Sequence, residues 1–450
     1  MPKSALSAVL LAVGVFLAFN ANGREIGTYD SQPTKFAARQ LALRGTLTLD
    51  EIVTQLPPLK ERPGFTLARD QHWRTRYPLA PVLPAAALGF VLHHAGAVNL
   101  EALYSANIVA KFTASGLVTL AVLFALWSAR HYASDRVAVL VALGLGLGTG
   151  LWPTVSQTLW QADSVVASLA GAIALLHAPW RQRSIRSASI GALLGFAVAS
   201  RMQVLPAVAV LLAYCAARKD LSLGWLVTPL LICIAAVIST NVLWLGHPLG
   251  GAAAMEQLHP VVHATQGSLN RRPWEGLAGL LFSPNRGLIV FSPVVLVAGA
   301  GIAAAWRLRQ SAPALACTVA AAVQIVAYSF YSVWWGGHTY GPRYMLDILP
   351  LAVPLAAAAL RRARFGVAAK IATTGALGWS ILVAGTGAFC YPHDAWNVDP
   401  VGVDRDHSRL WSITDNQIHR CWARGLSPQN FSLFDRAAVR RMTNETQVTR

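Results

Sequence analysis

Acidic residues are scarce in this chain: it has 20 Asp and Glu among 450 residues, against 37 Lys and Arg. Charged residues of both signs make up 13%, roughly half of the ~25% that a soluble globular chain carries. So few charges cannot cover a water-facing surface, which excludes an ordinary cytosolic enzyme and a disordered chain. Cysteine is limited to five residues, which excludes a disulfide scaffold, and no Cys/His spacing resembles a zinc site. There is no G-x-x-x-x-G-K-[ST] loop, no room for a Rossmann domain and no internal repeat, so direct use of ATP or a nucleotide sugar is not expected.

Apolar residues fill the chain instead. They make up 54% of it, with a mean hydropathy of +0.45. Runs of about 18 or more, such as residues 223–244, are long enough to cross a ~30 Å hydrocarbon core. They are continuous rather than alternating, so they predict helices and not a barrel. The expected fold class is an all-α polytopic membrane protein. The net charge of +17 lies in short clusters between apolar runs, for example Arg181-Gln182-Arg183, Arg218-Lys219 and Arg361-Arg362-Ala363-Arg364. That is the positive-inside pattern, and it argues against a nucleic-acid partner, whose binding bases gather on one soluble face.

Placing the clusters in the cytoplasm predicts about eleven transmembrane helices: residues 5–20, 105–128, 137–151, 163–176, 187–200, 204–217, 223–245, 288–306, 313–333, 346–360 and 367–389. Residues 5–20 read as a retained first span rather than a signal peptide. The N-terminus is then cytoplasmic, and the C-terminal tail, residues 390–450, is extracytoplasmic. The membrane domain is 1–389, with a first outer loop at 21–104 and a second at 246–287. The inner segments contain many bases and only two acids, Asp135 and Asp220. Residues 79–94 are apolar but short, with Pro81 and Pro84, and read as an interfacial or re-entrant helix. The stretch 187–217 reads as two short helices meeting near Arg201. Cys215, Cys233 and Cys317 fall in apolar runs, while Cys390 and Cys421 fall outside, either as free thiols or as a disulfide.

Ionisable groups at membrane depth are functional candidates. Here they gather on the outer side: Asp30, Lys111, Asp163, Arg201, Arg343 and Asp347, with His247, His259, His263 and His338. Each also has a structural reading. Asp30 and Asp163 suit helix N-caps, Lys111, Arg201 and Arg343 can snorkel, and Asp347 can pair with Arg343 four residues earlier. Trp334 and Trp335 can form an interfacial belt. The tail carries Trp396, Trp411 and Trp422, which suggest that it packs on the outer loops. Asn444-Glu445-Thr446 matches a glycosylation acceptor by chance.

Several segments resemble the GT-C superfamily of glycosyltransferases. Residues 27–45 follow the first span with an acidic residue, Asp30, opening an amphipathic helix that ends in Gly45. Arg76-Tyr77-Pro78-Leu79-Ala80-Pro81 resembles the K/R-Y-P-P stretch before the second span, and Ser156-Gln157-Thr158-Leu159-Trp160-Gln161 resembles an S-x-x-L-W-Q segment. Trp334-Trp335-Gly336-Gly337-His338-Thr339-Tyr340-Gly341-Pro342-Arg343-Tyr344 is similar to a motif of bacterial protein-mannosyltransferase-like members, as is Ser283-Pro284-Asn285-Arg286-Gly287. The resemblance covers most of residues 1–400.

It implies a GT-C-like helical bundle in a bacterial inner membrane, a polyprenyl-phosphate-linked sugar as donor, a lipid, glycan or protein as acceptor, and inversion at the anomeric carbon. Asp30 is then the candidate base. Lys35, Lys111, Asp163, Arg201, His338, Tyr340 and Arg343 are candidate substrate-binding residues, the cations facing the leaving phosphate. Many members carry two adjacent acids where this chain has Asp30-Ser31, so a carboxylate-bound divalent metal is not supported, and no metal ligand is assigned. The alternatives are a transporter or flippase of lipid-linked sugars, and a non-catalytic protein of envelope assembly.

Overall fold

The computed structural model describes residues 3–28, 30–62, 64–178, 182–251, 269, 272–307, 312–362 and 366–433. His259, His263 and Asn444-Glu445-Thr446 lie outside them. The chain is helical almost throughout. Helix α1 (Lys3–Asn20) leads into a folded first loop made of α2 (Ser31–Arg44), α3 (Asp50–Gln55), a hairpin of β1 (Phe65–Leu67) and β2 (Trp73–Thr75), and α4 (Val82–His94). The bundle continues with α5 (Ser105–Tyr132), α6 (Asp135–Leu147), α7 (Gln161–His177), α8 (Arg183–Ser200), α9 (Leu205–Ala216) and α10 (Leu223–Leu245). It then runs through α11 (Pro273–Phe282), α12 (Leu288–Phe291), α13 (Leu296–Arg307), α14 (Ala312–Ser329), α15 (Leu349–Arg362) and α16 (Val367–Cys390), before a tail that holds α17 (Gln417–Arg424).

Helices α5 and α7 form the centre, with α1, α6 and α15 packed on α5 and α8 packed on α7. Ala, Val, Ser and Gly line these contacts, the small residues that let helices approach where lipid removes the hydrophobic drive. Gly191 of α8 shows the need: a Cβ there would lie 1.9 Å from the Leu226 carbonyl oxygen of α10. Outward faces carry exposed apolar side chains, among them Leu10, Leu17, Ile232 and Leu243. Among the described residues, five helical segments are long and apolar enough to cross a membrane: Ser105–Tyr132, Leu223–Leu245, Ala312–Ser329, Arg343–Arg361 and Val367–Cys390.

Three expected spans differ in detail. The single span at 288–306 is broken, because Ser292 precedes Pro293 and takes an extended φ of −143°; a residue before proline is driven from the helical region. The span at 346–360 starts as a 3-10 turn, Arg343–Ile348, before α15. The one at 137–151 ends by Leu147, before Gly148 and Gly150. The break between α8 and α9 falls at Arg201, which has extended backbone.

The hairpin was not expected in an all-α reading. Its register pairs Phe65 with Thr75 and Leu67 with Trp73, and its β-branched and aromatic residues are those that favour strands. Phe65 joins a second apolar core with Phe36, Leu49, Ile52, Val82 and Leu100, which seats the first loop on the start of α5. The tail packs back on the bundle: the amides of Phe431 and Leu433 donate to the Asn22 and Gly23 carbonyls. A disulfide joins Cys390 to Cys421.

Candidate active site

The site is built from three breaks in helical structure at the loop-bearing end of the bundle. The first lies before α2. Thr28 and Ser31 bond each other's backbone amides at 3.2 Å, so the amides at the helix start are met without Asp30. Asp30 stands at the N-cap position of α2, with a φ of −72°, but its side chain makes no cap bond. Its carboxylate instead accepts from the Tyr77 hydroxyl at 2.9 Å and from Arg343 Nη2 at 2.5 Å.

The second break is the turn before α15. Gly336, Gly337 and Gly341 all have positive φ, near 70°, a conformation that glycine adopts at little cost. The turn presents Arg343, whose guanidinium lies 4.5 Å from the centre of the Trp160 ring. The Trp160 indole is held by Thr28 at 3.0 Å. Arg343 Nε is buried without a hydrogen-bond partner, which buried donors rarely tolerate.

The third break carries Arg201. Its Nη1 donates to both oxygens of Asp347, at 3.1 and 2.9 Å, and the Tyr328 hydroxyl donates to the same carboxylate at 2.6 Å. The Arg201 guanidinium stands 5.3 Å from the Tyr344 ring, which stacks on Tyr328. The expected Arg343–Asp347 pair is therefore absent. Residues 343–348 are a 3-10 turn, in which side chains at i and i+3 eclipse and those at i and i+4 diverge.

Burial pushes the Asp30 carboxyl up, but Arg343, the Tyr77 bond and the more distant Arg201 outweigh it and leave its pKa below the ordinary value. Burial and the Asp30 charge raise the Tyr77 phenol well above its usual range, so it stays a donor. The Asp30 side chain keeps 26% of its surface exposed and Arg343 keeps 14%, so a ligand can reach the pair.

Asp30 and Arg343 thus meet, and Arg201, paired with Asp347, lies close enough to act on Asp30 through its charge. The other candidates are engaged elsewhere. Lys35 pairs with buried Glu25 at 3.0 Å, and Thr158 also donates to Glu25. Lys111 is buried and donates to the Phe19 carbonyl, Asn22 and Gln157, tying α1 to α5. Asp163 accepts the Trp160 amide at 3.1 Å and caps α7. His338 lies 3.2 Å from Asp404, and the buried Tyr340 hydroxyl donates to the Val383 carbonyl. Both site carboxylates are held by guanidinium groups. No cluster of three or more His, Cys, Asp or Glu side chains suited to a metal occurs among the described residues.

Tyr77, Trp160, Tyr328 and Tyr344 complete the cluster, although the residue reading gave them no role. Tyr77, Trp160 and Tyr344 sit inside quoted motif segments, which was their signal. Tyr328 had none, because it lies in an ordinary apolar run.

A multi-pass helical membrane protein with a charged cluster under a folded first loop is the class these features define. No family model matches the chain, and none of the curated proteins compared with it does. Its structure is similar to the oligosaccharyltransferase of Archaeoglobus fulgidus tethered to an acceptor peptide, with 13% identity and a TM-score of 0.53 over 91% of this chain and 58% of that one. It is also similar to ArnT from Cupriavidus metallidurans in the apo state, with 13% identity and a TM-score of 0.46 over 99% of this chain and 78% of that one. The oligosaccharyltransferase AglB of A. fulgidus with an inhibitory peptide and a dolichol-phosphate gives 14% identity and a TM-score of 0.46, over 90% and 59% of the two chains. The chain spans 58% of the length of the first of these. The likeness to the first of these is one of fold alone, a GT-C-like helical bundle.

Proposed function

We propose that this protein is an integral membrane glycosyltransferase that moves a sugar from a polyprenyl-phosphate carrier to a lipid, glycan or protein hydroxyl on the extracytoplasmic face. In this reading about eleven apolar segments span the inner membrane, the N-terminus is cytoplasmic and the tail is periplasmic. One observation carries the reading: Asp30 and Arg343, from distant parts of the chain, meet in a part-exposed ion pair, and the buried Arg201 is near enough for its charge to act on the Asp30 carboxylate. The fold adds support, since an oligosaccharyltransferase shares it, although a fold alone does not specify chemistry.

The acceptor oxygen bonds to the anomeric carbon, inverting it, as the bond from that carbon to the phosphate oxygen breaks. The electron pair leaves with the lipid phosphate, and the hydroxyl proton passes to Asp30. Arg343 and Arg201 neutralise the charge that develops on the phosphate. Before the donor binds, Arg343 holds Asp30 and weakens it as a base. When the phosphate arrives, Arg343 turns to it, its unpaired Nε gains an acceptor, and the Asp30 carboxylate regains basicity. Tyr77 keeps Asp30 oriented through that exchange.

The test is transfer of radiolabelled sugar from polyprenyl-phosphate-linked hexose to membrane-extract acceptors in proteoliposomes. Asp30→Asn is expected to lower turnover by about 10²–10⁴-fold, the usual worth of a positioned base, and Arg343→Ala by about 10²–10³-fold. Rates equal to wild type in both variants would remove this cluster from the reaction.

A further inference from the structure

Between Trp335 and Arg343 the chain makes a turn whose own residues satisfy only part of its backbone, chiefly the Gly341 and Gly336 carbonyls. Side chains from outside meet further groups, and most come from the tail. Gln417, the first residue of α17, is fully buried. Its Oε1 accepts the Gly341 amide at 3.0 Å and Arg286 Nη1 at 2.7 Å, and its Nε2 donates to the Thr339 carbonyl at 2.7 Å. Asn397 donates to the same carbonyl at 3.2 Å, and the Tyr391 hydroxyl donates to the His338 carbonyl at 2.9 Å.

Arg286 lies behind this layer with no exposed surface. It reaches the Trp335 carbonyl at 3.0 Å, the Gly337 carbonyl at 3.1 Å and Asn397 at 2.6 Å. The Gln417 amide is in turn fixed by Asn285 at 2.9 Å, and the disulfide from Cys421 to Cys390 holds α17 to the end of α16.

We infer that the C-terminal tail is part of the active site, with Gln417 as a positioning residue that sets Arg343 through the Gly341 amide. The inference rests on the proposed role of Arg343. The link is short: Gly341 is two residues before Arg343, whose own amide bonds the Gly341 carbonyl at 3.1 Å. Gly341 also has a φ of +69° and no side chain to lock its direction, so the peptide plane before it is set by two hydrogen bonds: Gln417 holds its amide, and Thr154 donates to its carbonyl, that of Tyr340, at 3.2 Å. Arg286, Asn397 and Tyr391 still hold the turn up to Thr339 without Gln417, but the Gly341 amide beside Arg343 is then free to shift and to turn Arg343 from the Asp30 carboxylate. Hydrogen bonds to backbone from a buried amide fit this task, because both ends of Gln417 are used and neither can slide without leaving a buried group unpaired.

The experiment is the same proteoliposome assay on full-length protein, with Gln417→Leu, Arg343→Ala and the double variant. Misplacement of a charged group by about 1 Å can cost about 10²-fold in rate. Gln417→Leu is expected to lower kcat by about that factor while KM changes less than threefold. In the Arg343→Ala background Gln417→Leu should have no further effect on kcat, while its effect on melting temperature should be the same in both backgrounds. A merely structural Gln417 would lower kcat by the same factor in both backgrounds, and that result overturns the inference. If Q417L does not fold, Q417E carries the test below the pH at which its buried carboxyl ionises, since one oxygen then keeps both acceptor contacts and the other, protonated, donates to the Thr339 carbonyl in place of Nε2. Loss of at most tenfold in kcat is then expected, and loss of 10²-fold or more overturns the inference. If Arg343→Ala itself leaves turnover unchanged, the fault lies with the proposed reaction and not with the tail.

Discussion

Replacing Asp394 with Asn should make the protein more stable at neutral pH. Asp394 lies in the tail four residues beyond Cys390, with no exposed surface, and neither of its carboxylate oxygens has a hydrogen-bond partner of good geometry. Burial pushes its pKa from 3.8 up to about 6, against the pull of Arg286, Arg420 and Arg424. The folded protein therefore binds this proton more tightly than the unfolded chain does. Between about pH 4 and pH 6 the folded state holds more protons, so stability falls as pH rises through that window and is level above it. The gap of about two pH units corresponds to roughly 3 kcal/mol. An Asn of the same shape carries no charge at any pH. Asp394→Asn should match wild type near pH 4 and exceed it by up to that amount above pH 6. The effect belongs to the tail, so hydrogen exchange of amides in residues 391–433, in nanodiscs at pH 4.5 and 7.5, is the direct assay. If Asp394→Asn exchanges faster than wild type at pH 7.5, or if the wild-type tail becomes more protected from pH 4 to pH 6, the carboxylate is a satisfied ionised partner of Arg286 and the reasoning fails.

Two further outcomes test the geometry of the site. Arg201 and Asp347 form a buried pair, with 7% and 0% of their side chains exposed, so Arg201→Leu or Asp347→Leu alone should cost about 3–5 kcal/mol by stranding the other charge, and the double change should cost clearly less. Thermal melts in detergent read this; single losses below about 1 kcal/mol would mean that water reaches the pair. Gly341→Ala places a Cβ 2.8 Å from the Phe291 ring at positive φ, so it should lower stability by about 1–2 kcal/mol and reduce transfer with it; full activity would show that the turn relaxes without moving Arg343.

Much of the architecture was legible in local composition. Apolar runs without charge can satisfy their backbones in lipid only as helices, and α5, α10, α14 and α16 follow those runs closely. The break at Arg201 was legible too, because a guanidinium at the centre of a 31-residue apolar stretch has to reach a polar place. The hairpin at 65–75 was missed because a short pair of strands inside a polar loop leaves only a few β-branched and aromatic residues as a sign. The broken span at 288–306 was missed because Pro293 lies inside an otherwise continuous hydropathic run, and hydropathy does not register the missing amide.

The candidate site divides in the same way. Arg201 and Arg343 stand out in the sequence because each is an ionisable group beside apolar chain, where charge is costly and rarely retained without a use, and Asp30 stands out because the segment after the first span resembles a GT-C outer loop. Their pairing is another matter. Arg343 has Asp347 four residues away and Asp30 at a separation of 313 residues, yet it takes the distant partner. Local spacing specifies a partner only when the helix type is known, and residues 343–348 form a 3-10 turn and not an α-helix. Lys35, Lys111 and Asp163 look in the sequence like Arg343, as single charges near the loop-bearing end. Their placement in internal networks with Glu25, Gln157 and the Trp160 amide depends on which helices lie against one another. Residue type and hydropathic pattern determined a helical membrane bundle and the groups able to do chemistry. The packing of α2, α7, α8, α15 and the tail decided which of those groups meet, because a hydrogen bond is specified by position in space and the sequence records only order along the chain.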